Sequence, residues 1–151
     1  MLDLLTIGGV NIARAARMLI PPSWQNTDLM DSDEKAFHEF NSMHMEAWDG
    51  PALICFHNKE FISCFLDRNG LRPARIEYFD DGSVSVSSEF GSNIGGLKLL
   101  NTDRLGPGGL FMFDRNSREV LKDQEVDAVL SKQFPYFCLL YTSDAADESV
   151  C

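Results

Sequence analysis

The residues of this chain whose types could do chemistry are four cysteines, three histidines, a run of acids before a helix and one glycine-rich loop. A cysteine that binds metal or acts as a nucleophile needs partners at defined spacing. Cys55 and Cys64 stand inside apolar runs, where a thiol behaves as a small hydrophobe, and Cys138 and Cys151 lie at the far end. No Cys-x-x-Cys pair exists, and no histidine stands at zinc-ligand spacing from a cysteine pair. The spacing predicts structural thiols in a reducing compartment and no disulfide framework. His38, His44 and His57 have no acidic partner arranged for a relay, so satisfied or exposed rings are expected. Triad members can converge from distant positions, but nothing local points to one. Gly91-Ser-Asn-Ile-Gly-Gly96 matches neither a dinucleotide fingerprint nor a Walker A loop and reads as a plain loop. Asp28, Asp31, Asp33 and Glu34 lack the glycine and closing glutamate of a calcium loop; they read as acids at a helix N-terminus, where the dipole favours them.

Composition narrows the partners. A net charge of −10 with no Lys/Arg cluster argues against nucleic acid, whose phosphates require a basic face. No apolar run approaches membrane-spanning length, and Met1-Leu2-Asp3-Leu4-Leu5 has no basic segment of the kind that opens a signal peptide. A cytoplasmic or organelle-stromal protein is expected.

The elements that must position any site follow from periodicity. Leu2 to Ile7 reads as a helix ended by Gly8-Gly9, and Asn11 can cap the next one. That helix places Ile12, Ala15, Ala16 and Leu19 on one stripe and is stopped by Pro21-Pro22. Asp31 and Glu34 have capping-box spacing before a third helix with Phe37, Phe40, Met43 and Ala47 on its apolar face. Strands follow: Pro51–Phe56 and Phe61–Leu66 around a turn at residues 57–60, then Arg75–Phe79 and Ser83–Ser88 around Asp80-Asp81-Gly82. Leu110–Phe113 and Glu119–Leu121 flank Asp114-Arg-Asn-Ser117, and a short helix covers Asp123–Ser131. Helices followed by about six antiparallel strands define an α+β pattern. The first strands are apolar on both faces, which calls for one sheet between a helical layer and a second sheet. Nothing in the sequence obviously supplies that second sheet.

Two segments carry more. Met45-Glu-Ala-Trp-Asp-Gly-Pro51 and Leu66-Asp-Arg-Asn-Gly-Leu-Arg-Pro-Ala-Arg75 closely resemble the amidotransferase domain of glutamate synthase large subunits. Met18–Trp24, Ser88-Glu89 and Arg104-Leu-Gly-Pro-Gly108 agree with the same family in order, so the resemblance covers about residues 2 to 134. Ala47 and Pro22 depart from its usual Pro and Glu, both in turns. The residues matching family motifs are Trp48, Asp49, Gly50, Asp67, Arg68, Asn69, Gly70, Arg72, Pro73, Ser88 and Glu89. Their types favour structure: Asn69-Gly70 supplies the positive-φ positions of a tight turn, and Pro73 fixes the exit. Asp67, Arg68, Arg72 and Arg75 are expected to pair with one another or with carbonyls, and Trp48 to be a buried anchor at a helix-to-strand corner.

The resemblance implies part of an α-β-β-α N-terminal-nucleophile amidotransferase sandwich. In that family an N-terminal cysteine thiolate attacks the glutamine side-chain amide, its α-amine serves as base, and an Asn-Gly pair stabilises the oxyanion. Ammonia then passes to a second site where 2-oxoglutarate is aminated and reduced, with FMN and an iron–sulfur cluster implied for the full-length protein. The implied partners are the remainder of the polypeptide, glutamine, and ferredoxin or an electron-donor subunit; a plastid is implied if the source is a photosynthetic eukaryote. Residue 2 is Leu2 and the four cysteines are internal or C-terminal, so this chain is expected to contain no catalytic, cofactor or metal residue, to be incomplete, and to be inactive alone. Asn69-Gly70 is not the family's oxyanion pair. Residues 1–137 are expected to be the C-terminal portion of the domain. Residues 138–148 resemble a translated sequencing adapter, so 138–151 is expected to be an artefactual or disordered tail. The alternatives are a non-catalytic amidotransferase-like module and another class II amidotransferase, such as an asparagine synthetase relative.

Overall fold

The computed structural model of the chain describes residues 1–25, 30–89 and 95–141. Five helices and seven strands form among them, in two compact units. One takes Met1–Trp48 and the described residues from Asp123 onward; the other is Asp49–Lys122.

The first unit is helical. α1 (Leu2–Ile7) ends as expected: the Gly9 N–H bonds to Thr6 O and the Val10 N–H to Leu5 O, with Gly9 at φ +89°. α2 (Ile12–Leu19) is capped by Asn11, whose Oδ1 accepts from Ala13 N at 2.9 Å and Arg14 N at 3.4 Å. Its buried stripe is Ala13, Ala15, Ala16, Arg17 and Met18, while Ile12 and Leu19 are only half-buried. An arginine on the buried stripe is the departure that matters. Arg17 is 1% exposed, and its Nε and Nη2 each donate to one oxygen of Asp127 at 2.7 Å. Nη2 also reaches Asp123 Oδ1 at 3.1 Å. Both acids belong to α4 (Asp123–Ser131), one helical turn apart and therefore on one face. The fork joins residues 110 positions apart and draws the late helix into the same unit as the early ones.

α3 (Ser32–Ser42) begins at Asp31, but the carboxylate bonds to Ser32 N rather than closing a box with Glu34. Phe37 is fully buried, whereas Phe40 is half-buried and Met43 is 63% exposed, because the helix stops at Ser42 and Met43 falls outside the packed face. Ala36, Phe37, His38 and Asn41 are what α3 buries. Each fully buried Phe or Leu here contributes about 1.5–3 kcal/mol. α5 (Tyr136–Tyr141) was not anticipated. Tyr136 is buried edge-on to Phe37 at 5.2 Å, and Arg14 lies over the Phe134 and Tyr136 rings. α5 runs across position 137/138, the expected start of the tail; residues 142–151 of that tail lie outside the described residues. Cys138 is disulfide-bonded, against the expectation of structural thiols in a reducing compartment.

The second unit holds two antiparallel sheets. β1 (Leu53–His57), β2 (Phe61–Leu66), β6 (Leu110–Asp114) and β7 (Val120–Lys122) form the first, in the order β1-β2-β6-β7. β3 (Arg75–Phe79), β4 (Val84–Ser87) and β5 (Leu99–Arg104) form the second, in the order β4-β3-β5. The expectation of one sheet lacking its mate is thus corrected. Cys64 and Phe111 from the first sheet pack with Ile76 from the second, flanked by Leu53, Tyr78, Val84, Val86 and Phe113. The first sheet is apolar on both faces, as read: Cys64 lies on one, and Phe65, Leu110 and Met112 on the other, all at most 6% exposed. β5 escaped sequence reading because Leu-Leu-Asn-Thr-Asp-Arg has no period-2 alternation. It is an exposed edge strand held chiefly by backbone pairing to β3, with a register shift at Tyr78/Phe79.

Removing one partner of a buried ion pair strands the other charge. Arg17→Met is therefore expected to lower unfolding free energy by about 3–5 kcal/mol in urea titrations, and adding Asp127→Leu to recover most of that loss.

Candidate functional site

The motif residues converge on one buried carboxylate. Asp67, at the end of β2, is 2% exposed. Its Oδ1 accepts from Ala52 N at 3.2 Å, and its Oδ2 accepts from Asn69 N at 3.2 Å and Leu71 N at 3.3 Å. Its own N–H donates to Ala52 O at 2.9 Å, while its carbonyl accepts from Gly70 N at 2.9 Å and Gly108 N at 2.8 Å. One residue thus ties together the Gly50-Pro51-Ala52 entry to β1, the turn after β2, and the Gly106–Gly109 entry to β6. Leu66 N donating to Gly109 O, and Leu105 N donating to Ala74 O, close the same knot.

Burial alone pushes the Asp67 carboxyl up, but backbone N–H donors from Ala52, Leu71, Asn69 and Arg72 together hold it below the ordinary carboxylate range. Peptide N–H groups answer the Asp67 carboxylate, where the sequence led to the expectation that Asp67 and the nearby arginines pair with one another or with carbonyls. Arg68 instead pairs with Asp49 at 3.3 Å on the exposed surface, a contact of little energetic weight. Gly70 is required twice over. It sits at φ +62°, and a Cβ there would stand 2.8 Å from Pro107 Cγ and 3.1 Å from Pro107 Cα.

The structure therefore brings Asp49, Gly50, Asp67, Arg68, Asn69 and Gly70 together, with Arg68, Asn69, Arg72 and Pro73 forming an exposed crest. Ser88 and Glu89 are also exposed and follow Ser87, the register partner of Arg75, whose Oγ donates to Glu89 O at 2.6 Å. Trp48 is not a buried anchor. Its ring is half in solvent (52% exposed), and the corner is held by its backbone N–H donating to Leu19 O at 2.7 Å. Large apolar area argued for burial, but the residue is half-exposed and its backbone bond to Leu19 helps fix the corner.

Sequence reading missed two constellations. One is the Arg17–Asp127–Asp123 fork, whose signal was an arginine on an alanine stripe and two acids spaced i, i+4. Beside it lies His38, stacked on Trp24 at 6.2 Å and edge-on to Phe37 at 5.0 Å, its Nε2 buried without a partner. Burial first, and then the Arg17 charge, lower its pKa to about 3, so it is neutral rather than a satisfied histidine. The other is the apposition of Cys55 and Cys64 on β1 and β2, which the hairpin register could have shown. His44 bonds to Phe40 O, and His57 is exposed at the end of β1, as expected. The loop reading at residues 91–94 and the acidic reading at Asp28 lie outside the described residues. Among the described residues, no group of three or more His, Cys, Asp or Glu side chains is placed to hold a metal ion, and no helix is long and apolar enough to cross a membrane.

The family described as class-II glutamine amidotransferases matches residues 1–138. The chain belongs to that family, and its α+β architecture of mixed helices and antiparallel sheets agrees with it. Among curated proteins it is similar to the ferredoxin-dependent glutamate synthase of Antithamnion sp., with 38% identity over 138 residues, or 89% of this chain and 9% of that protein. The glutamate synthase [NADPH] large chain of Bacillus subtilis (strain 168) is 36% identical over 135 residues, again 89% and 9%. The glutamate synthase [NADH] of Saccharomyces cerevisiae is 36% identical over 134 residues, 87% and 6%. The chain spans less than a tenth of the length of these relatives.

Asp67→Asn puts an amide N–H₂ among peptide donors and is expected to cost about 1–3 kcal/mol in unfolding free energy. Because the folded carboxyl ionises more readily than an unfolded one, its contribution is complete above the unfolded value of 3.8 and is lost as pH falls through the lower folded value. Acid titrations should therefore show the gap between wild type and Asp67→Asn closing below pH 3.8. Gly70→Ala should destabilise by more than about 1 kcal/mol, measured the same way.

Proposed function

We propose that this chain is part of the glutaminase domain of a glutamate synthase, which releases ammonia from the glutamine side-chain amide for reductive transfer to 2-oxoglutarate. The observation that carries this reading is the similarity to glutamate synthases at 32–38% identity across 89% of the chain. Ferredoxin-, NADPH- and NADH-named relatives all match at comparable identity, so the reading covers each class of electron donor. FMN and an iron–sulfur cluster would belong to other parts of the whole protein. Cys55 and Cys64 are two thiols where a cluster takes about four ligands, so they do not by themselves fit one.

In this reading the Asp67 knot is structural. It sets the register with which β1, β2 and β6 enter the sheet, and Arg68, Asn69, Arg72 and Pro73 form the surface it presents. Trp48, Asp49, Gly50, Ser88 and Glu89 have the same supporting role. Residues 1–137 are the portion belonging to the domain, and 138–151 a segment foreign to it. The remainder of the polypeptide and an electron donor are the partners, in the cytoplasm or a plastid.

The chemistry needs a cysteine whose own α-amine is free to take the thiol proton. Cys55, Cys64, Cys138 and Cys151 each have their amino group in a peptide bond, so none can supply that base. Purified chain incubated with glutamine is therefore expected to release no ammonia above the blank in a coupled glutamate dehydrogenase assay. A longer polypeptide containing it should form two glutamates from glutamine and 2-oxoglutarate at the cost of two electrons. ATP-dependent transfer of the amide to aspartate would instead overturn the assignment in favour of an asparagine synthetase relative.

A further inference from the structure

Cys55 and Cys64 are direct cross-strand partners in the β1–β2 hairpin, and their Sγ atoms are 3.0 Å apart. The register fixes what kind of pair they are. Asp67 N bonds to Ala52 O at one end of the ladder and Asn58 N to Phe61 O at the other. In an antiparallel ladder, hydrogen-bonded and non-hydrogen-bonded pairs alternate, so 55 and 64 fall at a non-hydrogen-bonded position. There the Cα atoms come within about 4.5 Å, at the short end of the range that a disulfide spans. Both side chains point to the same face of the sheet, and both thiols are free.

The two sulfurs differ in environment. Cys55 is exposed on the edge strand, whereas Cys64 is 6% exposed. We propose that Cys55 and Cys64 form a reversible dithiol–disulfide site, with Cys55 attacking a disulfide-class oxidant and Cys64 resolving the adduct.

The hydrogen bond from the Cys64 thiol lowers the Cys55 pKa to about 7 against the opposing effect of burial, so a large share is thiolate at neutral pH. Cys64 is pushed up, first by donating that hydrogen bond, then by burial and by the Cys55 charge. On the shared face the other titratable groups are His57 of β1 and Lys122 of β7; from the second sheet come Tyr78 and Asp103, the latter ion-paired to Lys122.

The order of events follows from these causes. The Cys55 thiolate attacks one sulfur of a small disulfide, expels one thiolate and is left as a mixed disulfide. Capping Cys55 removes both the hydrogen bond and the negative charge that kept Cys64 protonated. Cys64 then loses its proton to solvent and attacks the Cys55 sulfur, expelling the second thiolate. Two protein thiols are oxidised by two electrons, and the small disulfide is reduced to two thiols. The product staples the edge strand β1 to β2. Its short span places it among the more readily reduced disulfides, so a dithiol reagent reverses it.

The test uses oxidised glutathione on the purified 151-residue chain, then blocking of free thiols and peptide mapping without reduction. The expected result is a cross-linked peptide containing Cys55 and Cys64, reopened by dithiothreitol, with Cys138 assigned separately. In Cys64→Ala a persistent glutathione adduct should accumulate on Cys55, and in Cys55→Ala none on Cys64. In the reduced wild type, Cys55 should alkylate at least tenfold faster than Cys64 at pH 7, with a half-point near 7 that Cys64→Ala moves up toward 9. A wild-type chain in which both thiols remain alkylatable, or in which Cys55 keeps a lasting adduct without closing, would overturn the proposal without recourse to any variant.

Discussion

The strand unit depends on a single carboxylate. Asp67 is buried, and burying a charge is expensive unless every lone pair is answered. Here the answer comes from peptide N–H groups of Ala52, Asn69, Leu71 and Arg72, not from a countercharge. Because those groups belong to the entry to β1 and to the turn after β2, satisfying the carboxylate fixes the spacing between them. The Asp67 carbonyl adds Gly108, and so the entry to β6. A one-residue slip in any of the three would both strand the charge and turn the apolar faces of the first sheet over.

The helical unit uses the opposite device. Arg17 answers Asp127 through a bidentate fork, and the energy is poured into one pair instead of a ring of weaker bonds. Such a pair contributes little net stability against a well-packed apolar alternative, yet it is costly to break. Its effect here is topological. α4 follows the strand unit in sequence, and the fork assigns it to the unit that precedes those strands. His38, buried beside the same guanidinium and kept neutral, belongs to this arrangement rather than to a relay.

Much of this was legible in order along the chain. α1, α4, the Asn11 cap and the three hairpins follow from local chemistry: Gly8-Gly9, Pro21-Pro22 and the acidic turns leave the backbone few choices. Local rules failed where the deciding contact was remote. β5 has no amphipathic pattern because nearly all of it is exposed, and backbone pairing to β3 is what holds it. Met43 and Trp48 read as buried from their side chains alone, but the end of α3 and a backbone bond to Leu19 leave them outside. α5 was invisible because Tyr136 packs on Phe37, which lies in another helix.

The sequence by itself determined the family, through Trp48-Asp49-Gly50-Pro51 and Asp67 to Pro73. Family membership is a property of residue identity in order along the chain, which folding cannot alter. Only tertiary structure decided that the seven strands among the described residues divide into two sheets, that backbone N–H groups answer Asp67, and that Cys55 meets Cys64. Those outcomes depend on which distant segments share a register, and register is set by burial and hydrogen bonding summed over the whole sheet.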